Sequence, residues 1–290
     1  MMSPTRPNVT SPRELRRLLD EYGVRPSKRL GQSFLIDANV VAKILAAAEV
    51  APEDRVFEVG PGAGALTAAL ADRAGEVVAL ELDRRLVDLL SATLGGTANV
   101  RIVQGDILKA DLGTLLGGGR WKLLANLPYS IVGPAIARLV QQRAMFPLMV
   151  LMVQREMAER LAAPPGTREY GVLSVLVQAQ AEIAVVGQVA YTCFYPPPQV
   201  DSTLVRLTMR AEGAAAAGLE SAFVSLVRAA FRQRRKTLLN ALTAAAELGL
   251  TREQARQALD RAGVDPGRRP GSLAPGEFAA LTRVLNAGND

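Results

Sequence analysis

The tetrapeptide Asn126-Leu127-Pro128-Tyr129 directly follows the apolar run Lys122-Leu123-Leu124-Ala125. An Asn side-chain oxygen and a backbone carbonyl both accept hydrogen bonds, and an aromatic ring stacks on a flat heterocycle. At the mouth of a strand such a segment can cradle a base that carries an exocyclic amino group. The same letters also make an ordinary turn, because Pro keeps the residue before it out of the helical region. Three other polar features sit at comparable places. Gly60, Gly62 and Gly64 form a Gly-x-Gly-x-Gly loop, which lets backbone approach a ligand closely and brings helix N–H groups near it. Glu81 stands about twenty residues further on, where a carboxylate can hold both hydroxyls of a ribose, or can simply be a solvated strand end. Asp106, in Gln104-Gly105-Asp106-Ile107, suits an adenine amino group or a helix N-cap.

Strands and helices must bring these residues together. Apolar β-like runs at Val56–Val59, Val77–Leu82, Val100–Val103, Lys122–Ala125 and Leu148–Val153 alternate with Ala/Leu-rich helical segments such as Ala65–Ala74 and Arg84–Leu94. That rhythm predicts βαβ units and a mostly parallel sheet covered on both faces. Ligands of open α/β sheets sit beyond the carboxyl ends of the strands. Here four successive ends carry Gly-rich, acidic, acidic and Asn-Pro groups. Because the glycine spacing differs from the Gly-x-Gly-x-x-Gly of dinucleotide binders, the set describes a nucleoside without a pyrophosphate. S-adenosylmethionine fits that description better than a nicotinamide dinucleotide.

Beyond the sheet pattern, Ile183–Val189 and Ser202–Met209 read as a strand pair around the Pro-rich segment Tyr191–Pro198, a rigid loop feeding an edge hairpin. After the linker 211–218 the pattern is helical: Leu219–Ala246 as one long stretch, then Arg252–Ala262 and Pro275–Leu285, with Ser272 as a cap before Glu277. The expected organisation is a basic helical extension over 1–30, an α/β domain over 31–211 and a small all-α domain over 212–290.

The chain has no His and one Cys, Cys193, which excludes an internal disulfide, a conventional Cys/His zinc site and a His general base. No metal is expected. No apolar run approaches the ~20 residues that span a bilayer, and the first thirty residues lack a signal-peptide core, so a cytoplasmic protein without a membrane partner is expected. The net charge of +6 is concentrated at the ends, with seven basic against three acidic residues in 1–30 and 13 against 9 in 201–290. Basic poles around a near-neutral centre suit a polyanion held at the periphery.

The chain resembles the ribosomal RNA adenine N6-dimethyltransferases nearly end to end, most closely the branch acting on small-subunit (16S) rRNA. The matching stretches are Lys28–Asp37, Glu58–Gly64, Glu81-Leu82-Asp83, Gly105–Leu108, Asn126–Tyr129, Val153–Arg160, Phe194–Ser202 and Phe231–Leu238. The resemblance implies a class I (Rossmann-like) methyltransferase with a mostly parallel seven-stranded sheet plus the helical C-terminal domain. S-adenosylmethionine would be held by Gln32, Ser33, Leu35, Gly60, Gly62, Glu81, Leu82, Asp106, Ile107 and Asn126. The family more often has Asn or His at the position of Ser33, whose hydroxyl still donates and accepts. The implied reaction is dimethylation of two adjacent adenosines near the 3′ end of small-subunit rRNA, in a pre-ribosomal particle, by a monomer. A sister branch acting on one adenosine of large-subunit (23S) rRNA, conferring macrolide-type resistance, and a non-catalytic RNA-binding assembly factor on the same fold are the alternatives.

On this reading the Asn126 side-chain oxygen and the Leu127 or Pro128 carbonyl accept the N6 hydrogens of the target adenine, while Tyr129 and Phe194 stack on its two faces. Arg228, Arg232, Arg235 and Lys236, at i, i+4, i+7 and i+8, would share one helical face, with Arg234 beside them, for RNA phosphates.

Overall fold

The computed structural model describes residues 6–27, 31–128, 131–214 and 218–287. Helix α1 (Pro12–Glu21) starts with Pro in its first turn, where the missing N–H costs nothing, and buries Leu15, Leu18 and Leu19 along one stripe. After the two-residue strand β1 (Phe34–Leu35), the Asp37 carboxylate opens α2 (Ala38–Ala47) by accepting from the N–H groups of Asn39 at 2.8 Å and Val40 at 3.2 Å. The βαβ region follows as β2 (Arg55–Val59), α3 (Ala65–Ala71), β3 (Glu76–Glu81), α4 (Arg84–Leu94), β4 (Val100–Gln104), α5 (Leu112–Leu116), β5 (Lys122–Asn126), α6 (Val132–Leu139) and β6 (Leu148–Gln154). Helices α7 (Arg155–Ala162) and α8 (Val172–Gln178) lead to β7 (Ala181–Val189), β8 (Phe194–Tyr195) and β9 (Ser202–Met209). Four helices close the chain: α9 (Glu220–Arg232), α10 (Leu238–Thr243), α11 (Arg252–Arg261) and α12 (Pro275–Asn286).

The main sheet has seven strands in the order β4-β3-β2-β5-β6-β9-β7. β4, β3, β2, β5 and β6 are parallel, and β9 runs antiparallel to β6. Strands β2, β3, β5 and β6 are buried along nearly their whole length because helices cover both faces, which is why they read as unbroken apolar runs. The chain steps outward from β2 to β3 and β4, then returns to the other side of β2 with β5. The strand order therefore reverses between β2 and β5, and such a reversal opens a crevice at the carboxyl ends. No helix among the described residues is long and apolar enough to cross a membrane.

The chain divides into two compact units. Residues up to 158 join Ala184–Thr208, and Glu159–Ile183 join the residues from Met209 onward. The boundary expected at 212 thus differs from the structure, since α8 belongs with the C-terminal helices. Its Val175, Leu176 and Ala179 share one buried cluster with Tyr170, Phe223, Val227, Leu238, Leu259 and Phe278. The N-terminal segment is built into the first unit, with Leu15, Leu18 and Leu19 buried in a cluster with Phe34, Ala63, Leu86 and Leu89.

The single long helix expected over 219–246 is broken. α9 ends at Arg232, Gln233 takes φ −119° and ψ 50°, and Thr237 caps α10 by accepting from the Asn240 N–H. Tertiary bonds hold the break, with the Leu238 N–H donating to the Arg268 carbonyl at 2.7 Å and the Leu239 N–H to the Pro266 carbonyl at 3.2 Å. Arg228 and Arg232 therefore lie on α9, whereas Arg234, Arg235 and Lys236 lie in the turn after it and share no helical face with them. The cap before Glu277 is Ala274 rather than Ser272: the Glu277 carboxylate accepts from the Ala274 N–H at 2.8 Å, while the Ser272 hydroxyl donates to the Arg269 carbonyl.

Inside the second unit the buried Tyr170 hydroxyl donates to the Leu273 carbonyl at 2.8 Å. Tyr170→Phe leaves that carbonyl without its partner in the core, and it is expected to lower stability by ~1–2 kcal/mol. Urea unfolding measures this directly; an unshifted midpoint would mean the bond contributes nothing.

Candidate functional site

A cavity at the carboxyl ends of the central strands collects Gln32, Ser33, Leu35, Gly60, Gly62, Glu81, Asn126, Leu127, Pro128 and Phe194, all within the first unit. The glycine loop forms one side. Gly60, Gly62 and Gly64 have φ of 73°, 60° and 91°, a left-handed region that L side chains rarely adopt. Space is equally restrictive. A Cβ on Gly60 would lie 3.0 Å from the Asn126 carbonyl oxygen, one on Gly62 3.0 Å from the Phe34 ring, and one on Gly64 2.8 Å from Leu90. The Gly-x-Gly-x-Gly spacing thus follows from packing the loop against β5, β1 and α4 in turn.

Glu81 is not a solvated strand end, for it is 7% exposed. Its carboxylate accepts from the N–H groups of Gly62 at 3.1 Å, Leu82 at 2.8 Å and Asp83 at 3.0 Å. A carboxylate offers about four acceptor directions, so three amides leave room for a hydroxyl. Burial raises the pKa of Glu81, and the three amide bonds oppose that rise. Next to it, the Asp83 carboxylate caps α4 through the Arg85 N–H at 3.0 Å and accepts from the Gln32 side-chain amide at 3.0 Å; the Gln32 carbonyl in turn accepts from the Ser27 N–H at 2.9 Å. Gln32 thereby ties the segment before β1 to the turn after β3.

Asn126 ends β5 opposite Met152 of β6, and its side-chain amide bonds to no described residue. Of the two carbonyls expected beside it, the Pro128 oxygen already accepts the Ile131 N–H at 3.0 Å, whereas the Leu127 oxygen accepts from no described residue. Tyr129 lies outside the described residues. Phe194, expected to stack on one face of the adenine, is not an exposed ring. It is 3% exposed, pairs in β8 with Leu35 of β1, and packs among Ile44, Leu66, Val150, Met152 and Leu204, so it reaches the cavity as part of its buried wall.

Leu82, Asp106 and Ile107 do not line the cavity. The Gly105 N–H donates to the Glu81 carbonyl at 2.8 Å, which sets Asp106 one strand over from Glu81. Asp106 itself holds its own turn, accepting from the Leu108 N–H at 2.9 Å. Leu82 is 52% exposed and Ile107 is buried. Among the five basic residues of the second unit expected at RNA, Arg232 pairs with Glu247 at 2.8 Å and Arg234 donates to the Thr167 and Arg168 carbonyls at 3.0 and 2.7 Å. Arg228, Arg235 and Lys236 are exposed and carry no such partner among the described residues.

Glu58 was missed from the sequence. It interrupts the apolar run Val56-Phe57-Glu58-Val59, and that interruption was the available signal. Only 1% exposed, it lines the cavity without a well-formed hydrogen bond at Oε2, and the buried Thr67 hydroxyl of α3 lies near enough to ease its charge. Loss of water pushes the Glu58 carboxyl up to about 8; the Thr67 hydroxyl opposes the rise and the nearby charge of Glu81 adds to it. The wall as a whole fits a nucleoside with a cationic side arm: a tight backbone cradle, a buried carboxylate with an acceptor direction to spare, an Asn amide that no described residue engages and a second, buried carboxyl. Among the described residues no group of acids and thiols is arranged to hold a metal ion.

The family model described as ribosomal RNA adenine dimethylase matches residues 24–286. The chain is 49% identical to a ribosomal RNA small subunit methyltransferase A of Pelotomaculum thermopropionicum, covering 97% of this chain and 98% of the relative. A protein of the same description from Moorella thermoacetica is 47% identical over 96% and 99%. Among solved structures, a dimethyladenosine transferase from Plasmodium falciparum superposes with a TM-score of 0.77 at 26% identity, over 88% of this chain and 98% of that one. The 23S rRNA methyltransferase ErmE gives 0.63 at 30% identity, over 87% and 99%.

Glu58 has a consequence for stability. Its carboxyl keeps a proton to about pH 8 in the fold but ionises near the ordinary 4.5 in the unfolded chain. Between those values the folded state binds more protons than the unfolded one, so stability falls as pH rises, by at most ~1.4 kcal/mol per pH unit. Glu58→Gln keeps the shape and removes the titration. The ligand-free variant is expected to melt above wild type near pH 8, with the gap closing towards pH 5. A gap independent of pH would show that Glu58 is already ionised in the fold.

Proposed function

The chain belongs to the ribosomal RNA adenine dimethylase family, and from that premise we propose that it transfers methyl groups from S-adenosylmethionine to N6 of two adjacent adenosines near the 3′ end of small-subunit rRNA. The observation that carries the reading is the Asn126 side chain beside the Leu127 carbonyl, neither engaged by a described residue, next to the glycine loop at the reversal of strand order. Bound there, S-adenosylmethionine supplies an electrophilic sulfonium methyl. The Gly60–Gly64 backbone, Glu81 and Asn126 would hold it, with Gln32, Ser33 and Leu35 closing the cavity on the side of β1, while Asp106, Ile107 and Leu82 stand outside the cavity wall in this structure.

Adenine N6 is a weak nucleophile because its lone pair is delocalised into the ring. The Asn126 side-chain oxygen and the Leu127 carbonyl accept its two hydrogens, pull the nitrogen towards tetrahedral geometry and aim its lone pair. Pro128 contributes stiffness rather than an acceptor, since its carbonyl is engaged by the turn. Alkylation makes the N6 proton strongly acidic, so no strong base is needed, which suits a chain without histidine. Phe194 offers a buried apolar wall to the extruded base, and Tyr129 the opposing ring. The protein acts as a monomer on a pre-ribosomal particle in the cytoplasm, with Arg228, Arg235 and Lys236 free to meet phosphates. The small-subunit branch is favoured over the large-subunit one by the 49% identical relative, which spans both chains almost completely.

Asn126→Ala is expected to keep part of its affinity for S-adenosylmethionine while losing about 100-fold or more in turnover, the range of a lost preorganised polar contact. Labelled donor offered to unmethylated small and large subunits, followed by nucleoside analysis, reads both points. Label in dimethyladenosine of the large subunit alone would overturn the small-subunit assignment. The pair Arg235→Glu and Lys236→Glu is expected to weaken binding to unmethylated small subunits by about tenfold or more at physiological salt, with donor affinity intact. Unchanged subunit binding would remove these two residues from the RNA contact.

A further inference from the structure

Arg16 lies on α1 with its guanidinium carbon 4.8 Å from the centroid of the Tyr195 ring. Tyr195 belongs to β8, where it pairs with Phe34 of β1 while Phe194 pairs with Leu35. Phe34, Leu35 and Phe194 all line the cavity, so Arg16 is stacked on a ring of the same two-stranded ribbon that supplies part of the cavity wall. The ribbon is held firmly to the helix. Leu15, Leu18 and Leu19 of α1 share a buried cluster with Phe34, and Tyr195 packs against it.

Several neighbouring cations are otherwise engaged, although Arg13 on the same helix is exposed like Arg16. Arg17 is bonded to Glu14 at 2.7 Å and Glu21 at 2.8 Å, Arg6 to Asp72 at 2.6 Å, and Arg85 donates to the Gly23 carbonyl at 2.9 Å. Arg16 is exposed and, among the described residues, has no carboxylate or carbonyl partner. A guanidinium stacked on a ring uses its face and keeps its five in-plane N–H donors available, in a fork that matches two oxygens of a phosphate. Stacking also limits its rotamers, so less freedom is lost when an anion arrives.

We propose that Arg16, laid over Tyr195, binds a backbone phosphate of the RNA strand beside the adenosine that enters the cavity, and thereby helps set which nucleotide reaches Asn126. The inference rests on the RNA methyltransferase reading and adds to it a contact from the N-terminal helix of the first unit. The fixed position of the cation, one residue from the cavity wall, distinguishes it from a diffuse basic patch that only raises local RNA concentration.

The test compares wild type, Arg16→Gln and Arg16→Lys. Wild type must first methylate unmethylated small subunits, and failure there would remove the functional reading before this one is judged. Arg16→Gln is expected to raise KM for the subunits roughly tenfold, the scale of one charged hydrogen-bonded contact. It should also flatten the slope of log affinity against log salt by about 0.7, one single-strand phosphate, with unchanged affinity for S-adenosylmethionine in calorimetry. Arg16→Lys should recover the slope. If Arg16→Gln leaves KM and slope at wild-type values, or if donor affinity falls in parallel with subunit affinity, Arg16 only braces the ribbon and the proposal is overturned.

Discussion

β2 and β5 pair in parallel with Val59 opposite Ala125, so the glycine loop that leaves one strand and Asn126 that ends the other emerge side by side, about 4.8 Å apart. Neither position is adjustable. Gly60 sits so close to the Asn126 carbonyl that no side chain fits between them, and the loop must take left-handed conformations to make its turn into α3. Because β3 lies on the other side of β2, the same register delivers Glu81 to the far end of the loop, where its carboxylate accepts from the Gly62 N–H. The grip proposed for the donor and the cradle proposed for the acceptor are therefore two consequences of one strand order.

The cavity then has to act through position and field rather than through acid–base strength. Its two carboxyls differ in environment: Glu81 is stabilised by three amide donors, whereas Glu58 has lost water without gaining a hydrogen bond at Oε2. The first resembles an ion held in place. The second resembles a neutral acid, at a cost that the pairing of β2 with its neighbours tolerates. An apolar wall of Phe34, Leu35 and Phe194 keeps water out and strengthens every polar contact inside.

The βαβ half was legible in the sequence because strands buried on both faces show as continuous apolar runs, and the ends of β2, β3, β4 and β5 fell within a residue of the expected positions. The polar groups at those ends were legible for the same reason. Features formed by distant partners were not. β1 and β8 have two residues each, too few for any periodicity, yet their pairing across some 160 residues places Phe194 in the wall. Gln32 meets Asp83 only because the segment before β1 folds back on the turn after β3. The break after α9 lies in Gln233-Arg234-Arg235-Lys236, residues with good helix propensity, and is imposed by bonds from the 266–268 loop.

That break also changes what a cluster of positive charge means. Read as one helical face, the five cations of 228–236 looked equivalent; in the fold they divide by what their donors already hold. Arg234 closes two backbone carbonyls of its own unit and Arg232 answers Glu247, so each has fewer donors and less freedom left for a phosphate. A guanidinium that must break existing hydrogen bonds gains less from an anion, because one partner replaces another, whereas a cation facing only water has no such bond to give up. Density of Lys and Arg in a sequence thus sets an upper bound on polyanion contacts. The folded partners of each cation decide how many are available, and the same reasoning separates Arg16 from Arg17 on adjacent positions of α1.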